Sequence, residues 1–352
     1  GTMGILRGIA DPSIESGTFI GPKGIKGPAT TFKLEAKYDN PEIRKMIWDK
    51  SCDAIEEDFI VNWIFDDRWS MNLLTIACLQ LSLAKEKNLA KILNSVDELL
   101  QKNNQIDLLA LSELSATGIY PKKNESLEKF LPVFSDLAKK FEVWLLPGSF
   151  HEFEKDVIYN TCPVINDKGE LVAKARKLYP WLPYENQITP GNEICTFEYP
   201  GAGIIGVHIC YDLWFPETSR ALAMAGAELI INPTLTPTKD REIETIMVRA
   251  TAAQQQCYYV DVNSVGEQGC GQSIACDPDG NVLHISGDQE DIFTVEVDFD
   301  FVRNSRKNGI MGLGQNLKSY RDNPFSSMIK EKRNDKYLKS LGKLTEYKNK
   351  DE

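Results

Sequence analysis

The side chains able to do covalent chemistry stand where apolar runs end. Cys210 follows Ile204-Ile205-Gly206-Val207-His208-Ile209 and leads into Tyr211-Asp212-Leu213-Trp214-Phe215-Pro216-Glu217, so a strand delivers a thiol into a turn just before a helix. Such a turn exposes its side chain at the edge of a sheet with backbone N–H groups aimed at it, as in a nucleophile elbow. A buried structural thiol is the alternative, and it is the default for Cys52, Cys78, Cys162, Cys195, Cys257, Cys270 and Cys276. Glu113 comes just after Leu108-Leu109-Ala110-Leu111, as a catalytic carboxylate or as a cap or ion-pair partner. Lys177 ends the run Leu171 to Arg176 and precedes Tyr179-Pro180-Trp181-Leu182-Pro183-Tyr184-Glu185. The prolines and aromatics of that stretch make a rigid apolar wall; a lysine beside it is either functional or simply solvated at a hairpin end.

The elements that must position these residues follow from periodicity. Leu73 to Leu79 reads as a buried strand, followed by a helix to about Gln101 with Leu89, Ile92, Leu93, Val96, Leu99 and Leu100 on one face. Further strands are expected at Ile106–Leu111, Val143–Leu146, Tyr159–Val164, Leu171–Arg176, Gly203–Ile209, Leu229–Asn232, Tyr258–Asn263 and Phe293–Val297. Helices are expected at Leu127–Phe141, at Glu217–Ala225 and up to about Gln256. Hairpins turn at Asn166-Asp167-Lys168-Gly169 and Asp277-Pro278-Asp279-Gly280. Strands alternating with helices and interrupted by hairpins indicate an α/β fold with mixed sheets. Three parts are expected: an N-terminal extension (1–70), partly helical over Asn40 to Phe65 with Trp48 and Trp63, that packs on the core or a neighbouring subunit; a main domain (71–300); and a C-terminal tail (301–352) that wraps over another surface or frays.

Composition excludes several classes of function. The 352 residues are 42% hydrophobic and 26% charged, the balance of a globular protein. With 51 acidic against 40 basic residues the net charge is −11, which repels phosphate backbones and anionic bilayers, so no nucleic-acid or membrane partner is expected. No apolar run has the length of a membrane span. Gly1-Thr2-Met3 reads as a vector remnant ahead of a native Met3, with no signal segment after it. The only histidines are His151, His208 and His284, and CxxC, HxxxH and HExxH are absent, so no metal site is expected. A cytoplasmic, reduced protein working mainly with Cys, Lys, Glu and Asp is the expectation.

The order Glu113, Lys177, Cys210, each at a strand end, resembles the nitrilase superfamily of carbon–nitrogen hydrolases, over about Asn72 to Asn323. Cys210-Tyr211-Asp212-Leu213-Trp214-Phe215-Pro216-Glu217 with Arg220 is similar to that family's nucleophile motif. Gly226-Ala227-Glu228, Asn232-Pro233-Thr234, Arg249-Ala250, Gln256-Cys257-Tyr258 and Gly271-Gln272-Ser273 also follow its pattern. Gln272 stands where the family often has His. Pro180-Trp181-Leu182-Pro183-Tyr184-Glu185 resembles the Pro-Trp-x-Pro-x-Glu of the amidase branch, although Asn186-Gln187 replaces the Gly and aromatic usual in aliphatic amidases.

The resemblance implies an α-β-β-α sandwich with two mixed sheets between helix layers, and a homodimer or higher homo-oligomer in which the tail after Phe301 takes part. It also implies a mechanism needing no cofactor or metal: Cys210 as nucleophile, Glu113 as general base, Lys177 with a backbone N–H as oxyanion donor, and Glu185 positioning substrate. A free thiol is only about 3% thiolate at pH 7, so a nearby base and cation have work to do. Tyr120, Tyr179, Trp181, Tyr211 and Trp214 are substrate-pocket candidates, or else core aromatics. The expected reaction is hydrolysis of a small amide to carboxylate and ammonia through a cysteine thioester. The alternatives with the same triad are a nitrilase acting on a nitrile, a carbamoyl-amide hydrolase and an acyl transferase. A Cys–His protease would need a histidine base, for which only His208 is near in sequence. A glutaminase feeding a synthetase would need an ATP-binding partner, and no GxxxxGK[ST] occurs.

Overall fold

The computed structural model describes residues 18–22, 29–33, 73–103, 105–323 and 334–341. The chain divides into two compact units, Gly1–Trp69 and Ser70–Glu352. In the first, β1 (Thr18–Pro22) pairs antiparallel with β2 (Ala29–Lys33), a hairpin unexpected in a segment without clear alternation. The helix expected over residues 40–65 and the remnant at Gly1-Thr2-Met3 lie outside the described residues.

The second unit begins with β3 (Leu73–Gln80), β4 (Ser82–Leu83), α1 (Leu89–Lys102), β5 (Leu108–Leu111), α2 (Leu127–Phe141), β6 (Trp144–Leu146) and β7 (Phe150–Glu154). It continues through β8 (Val157–Ile165), β9 (Leu171–Arg176), β10 (Cys195–Tyr199), β11 (Gly203–Val207), α3 (Pro216–Met224), β12 (Leu229–Pro233) and α4 (Arg241–Gln255). There follow β13 (Tyr258–Val262), β14 (Val265–Gly266), β15 (Ile274–Cys276), β16 (Val282–Ile285), β17 (Asp291–Asp298), α5 (Phe299–Asn308), α6 (Asn316–Asp322) and α7 (Asp335–Ser340).

Two mixed sheets result. One runs β17-β3-β5-β6-β8-β7 with β9 added on β8; the other runs β10-β11-β12-β13-β15-β16. Side-chain alternation along each strand splits the apolar residues into three layers. Ile76, Cys78, Leu108 and Ala110 face the other sheet, whose Ile205, Val207, Ile231 and Val260 meet them. Their neighbours Ala77, Leu79, Leu109 and Leu111 face outward, under Ile92 and Val96 of α1 and Phe134 and Leu137 of α2. On the far side Ile230, Tyr259 and Ile274 pack under Leu222 of α3 and Val248 and Ala252 of α4. The order of layers is therefore helix, sheet, sheet, helix.

Regular structure does not stop at Val297. Asp298 accepts the backbone N–H groups of Asp300 (2.9 Å) and Phe301 (3.1 Å), capping α5. Phe299 and Val302 then join the layer between the sheets, so the first part of the tail packs on its own core. This helix has few apolar residues, and most of its length is polar, which is why its period was silent.

Candidate active site

Three strand ends meet at one edge of the sandwich. Glu113 lies just beyond β5, and its N–H donates to Thr234 O, beyond β12, at 3.2 Å, linking the two sheets there. Gly148, just after β6, packs so tightly on this turn that a Cβ would come within 2.0 Å of Ser112 O, so only glycine fits. Lys177 follows β9, and its N–H donates to Asn160 O of β8 at 2.8 Å. Beyond β11, His208 and Ile209 lead into a tight 3-10 turn, Cys210–Trp214, and Cys210 sits at φ +50°, a left-handed conformation uncommon for a residue with a side chain. Strain of this kind, of order 1–3 kcal/mol, persists only where surrounding contacts enforce it.

Those contacts come from Asp212. Its buried carboxylate accepts N–H groups from Ile209 (3.1 Å), Leu178 (3.0 Å) and Tyr179 (2.8 Å). The turn that bears Cys210 and the loop after Lys177 thus share one anchor. Burial pushes the Asp212 carboxyl up to about 7, against the pull of these N–H groups and Lys177.

The Lys177 ammonium is buried and donates to Glu113 Oε1 at 2.8 Å and Glu185 Oε2 at 2.7 Å. Burial opposes its charge, but Glu113, Glu185 and the nearby thiol outweigh burial and hold it well above an ordinary lysine. Asn160 Nδ2 joins the same two carboxylates, at 2.7 Å to Glu113 and 3.4 Å to Glu185. Burial raises Glu113 above the usual carboxylate range despite the lysine. Burial also acts on Glu185, but Lys177 and the Trp181 N–H (2.6 Å) hold it low. The Cys210 thiol is pushed well up by burial and by Glu113, with Lys177 opposing.

These groups line a cavity of about 210 Å³. Glu113, Lys177, Glu185 and Cys210 all contribute to its wall, as do Tyr120, Trp181, Tyr211 and Trp214. Tyr179 is placed differently: it stacks on Phe215 with ring centroids 3.6 Å apart and does not line the cavity. Sequence reasoning passed over Asn160, Asp240 and Glu244. Glu244, which lines the cavity, accepts Trp214 Nε1 at 3.0 Å and Arg241 at 3.1 Å. The one available signal for Asn160 was the polar pair Asn160-Thr161 in the middle of an otherwise apolar strand. Gln272 takes φ +59° behind the site, and its carbonyl accepts Arg241 at 2.8 Å.

Residues 75–307 match the sequence model of the carbon–nitrogen hydrolase family. The chain belongs to that family. The layered fold of this carbon–nitrogen hydrolase is that of the nitrilase superfamily. It is 30% identical over 296 residues to the nitrilase and fragile histidine triad fusion protein NitFhit of Drosophila melanogaster, covering 74% of this chain and 64% of that one. It is 28% identical over 255 residues to the deaminated glutathione amidase of Dictyostelium discoideum, covering 64% and 87% of the two chains. The chain thus spans less than two thirds of the fusion protein's length. The crystal structure of Saccharomyces cerevisiae Nit3, a member of branch 10 of the nitrilase superfamily, superposes with a TM-score of 0.60 at 26% identity, covering 67% of this chain and 93% of that one. No helix among the described residues is long and apolar enough to cross a membrane.

Proposed function

We propose that this hydrolase cleaves the C–N bond of a small amide through a thioester on Cys210. The observation that carries the reading is the buried Lys177 ammonium, shared at 2.8 and 2.7 Å by Glu113 and Glu185 on the wall of the cavity that Cys210 also lines. A thiol pushed well above its ordinary value is neutral at rest, so it needs a base during attack, and Glu113, raised by burial, is suited to that task. Cys210 Sγ attacks the amide carbon as Glu113 takes its proton. Lys177 and the Tyr211 backbone N–H stabilise the oxyanion. Collapse breaks the C–N bond, and Glu113 returns the proton to the departing ammonia. Glu113 next deprotonates a water that cleaves the thioester, releasing a carboxylic acid and restoring the thiol. Glu185, held low by Lys177, orients the amide nitrogen.

The 71–300 segment carries this chemistry in our reading, in a cytoplasmic protein that self-associates. Free thiols throughout the described residues support a reducing compartment. Exposed Met224 of α3 and Ile243 and Ile246 of α4 support pairing of subunits.

Ammonia release from a panel of short amides and matched nitriles tests the reading, with Cys210→Ala beside the unaltered chain. Turnover of amides that is lost in Cys210→Ala is the expected result. Turnover of nitriles alone, or activity surviving in Cys210→Ala, overturns it.

A further inference from the structure

The charge of the cavity wall says which amides fit. Glu113, Glu185, Asp240 and Glu244 line it, and Lys177 is the one cation among the described lining residues. Lys177 already donates to two carboxylates, at 2.8 and 2.7 Å. An ammonium has three N–H donors, so the one left over is needed for the oxyanion. The nearest cation behind the wall is equally committed. Arg241 donates to Glu244 (3.1 Å), Asp261 (2.5 Å) and the carbonyls of Gly271 (3.2 Å) and Gln272 (2.8 Å). Five carboxylates therefore stand around two cations here: Lys177 has no donor to spare for a substrate carboxylate, and Arg241, four of its five donors taken, is buried behind the wall and does not line the cavity.

A negatively charged substrate group would be desolvated against like charge, whereas a cation would meet Asp240 and Glu244. Trp214, held by Glu244 at 3.0 Å, and Tyr211, 6.0 Å from it between centroids, add aromatic faces that attract a cation. We propose that the substrate is a short amide bearing a protonated amine at the end away from the scissile bond, held by the Asp240–Glu244 side of the cavity. The inference rests on the amide-hydrolase reading above.

The test compares three amides of matched length on the full chain: 5-aminopentanamide, hexanamide and 6-amino-6-oxohexanoate, followed by ammonia release. The expected kcat/KM for the cationic amide exceeds that of hexanamide by about tenfold or more, and the anionic amide falls below hexanamide by a similar factor. Asp240→Asn shrinks the cationic advantage, with hexanamide as internal reference. Equal rates for the cationic and neutral amides, or preference for the anionic one, overturn the inference while leaving amide hydrolysis standing. Silence on all three overturns the amide reading, and this inference with it.

Discussion

Asp212 accepts the backbone N–H of Tyr179 at 2.8 Å, and this bond fastens the loop after Lys177 to the turn that bears Cys210. The same carboxylate holds Leu178 and Ile209, so one side chain sets the spacing between ammonium and thiol. Asp212→Ala leaves these buried N–H groups without their acceptor. It is expected to lower stability by about 1–3 kcal/mol in urea denaturation. It is also expected to reduce kcat more than it changes KM, with Asp212→Asn, which keeps one acceptor oxygen, falling between. An unchanged kcat in Asp212→Ala would show that the anchor does not set the spacing.

Asn160 is a positioning residue for Glu113. Its amide donates to Glu113 at 2.7 Å, and a hydrogen bond to a carboxylate favours the charged form. Asn160→Ala therefore raises Glu113 further, and the base proposed above is lost at a higher pH. The acid limb of the kcat/KM profile is expected to move upward, with a kcat loss of about tenfold or more at neutral pH. A loss of activity with an unmoved acid limb would mean that Asn160 only supports the fold.

Burial of His208 makes stability depend on pH. Burial lowers its imidazole from 6.5 to about 3, with a bond to the Thr218 backbone opposing, while Nδ1 pairs with Tyr259 OH at 3.1 Å. Between those values the unfolded chain binds a proton that the folded chain does not. The contribution is thus fully present above pH 6.5 and is lost as pH falls toward 3. Asp212 has the opposite sign: raised from 3.8 to about 7, it favours folding at low pH and loses that contribution as pH rises through 7. His208→Gln is expected to flatten the fall in stability below pH 6.5, by at most about 1.4 kcal/mol per pH unit, in denaturation midpoints measured across that range. A His208→Gln profile parallel to the unaltered chain would overturn this.

What could be read from the sequence was what local pattern encodes. Glu113 and Cys210 stood out because continuous apolar runs stop just before them, the mark of strands buried on both faces, whereas Lys177 ends the mostly exposed β9 and stood out through the Pro-rich aromatic stretch that follows it. The structure brings these three and Glu185 to one cavity wall. Tyr179, chosen for its place beside Lys177, turned instead to Phe215, because a loop's side-chain directions follow from what packs on it. Beyond their local bonds, Asn160, Asp212 and Glu244 reach partners 25 to 47, 33 to 34 and 30 residues away, a separation no local period reports. The strand β7 was hidden for a related reason. Its Glu152 is buried yet satisfied by Arg176 at 2.9 Å from a strand of the same sheet, so its charge masked the alternation.

The pairing of β17 with β3 along eight residues, Asp291↔Gln80 to Asp298↔Leu73, has a consequence for how the chain is made. The first strand of the main unit waits for almost the last one. During synthesis β3 can join β5, but its other edge stays open until β17, more than two hundred residues beyond β3 itself, has left the ribosome. Phe299 and Val302 arrive only after that, as the plug at the end of the inter-sheet layer. Completion of the sandwich is therefore a late event, and a chain released early at residue 290 would present β3 as an apolar edge ready to pair with another molecule.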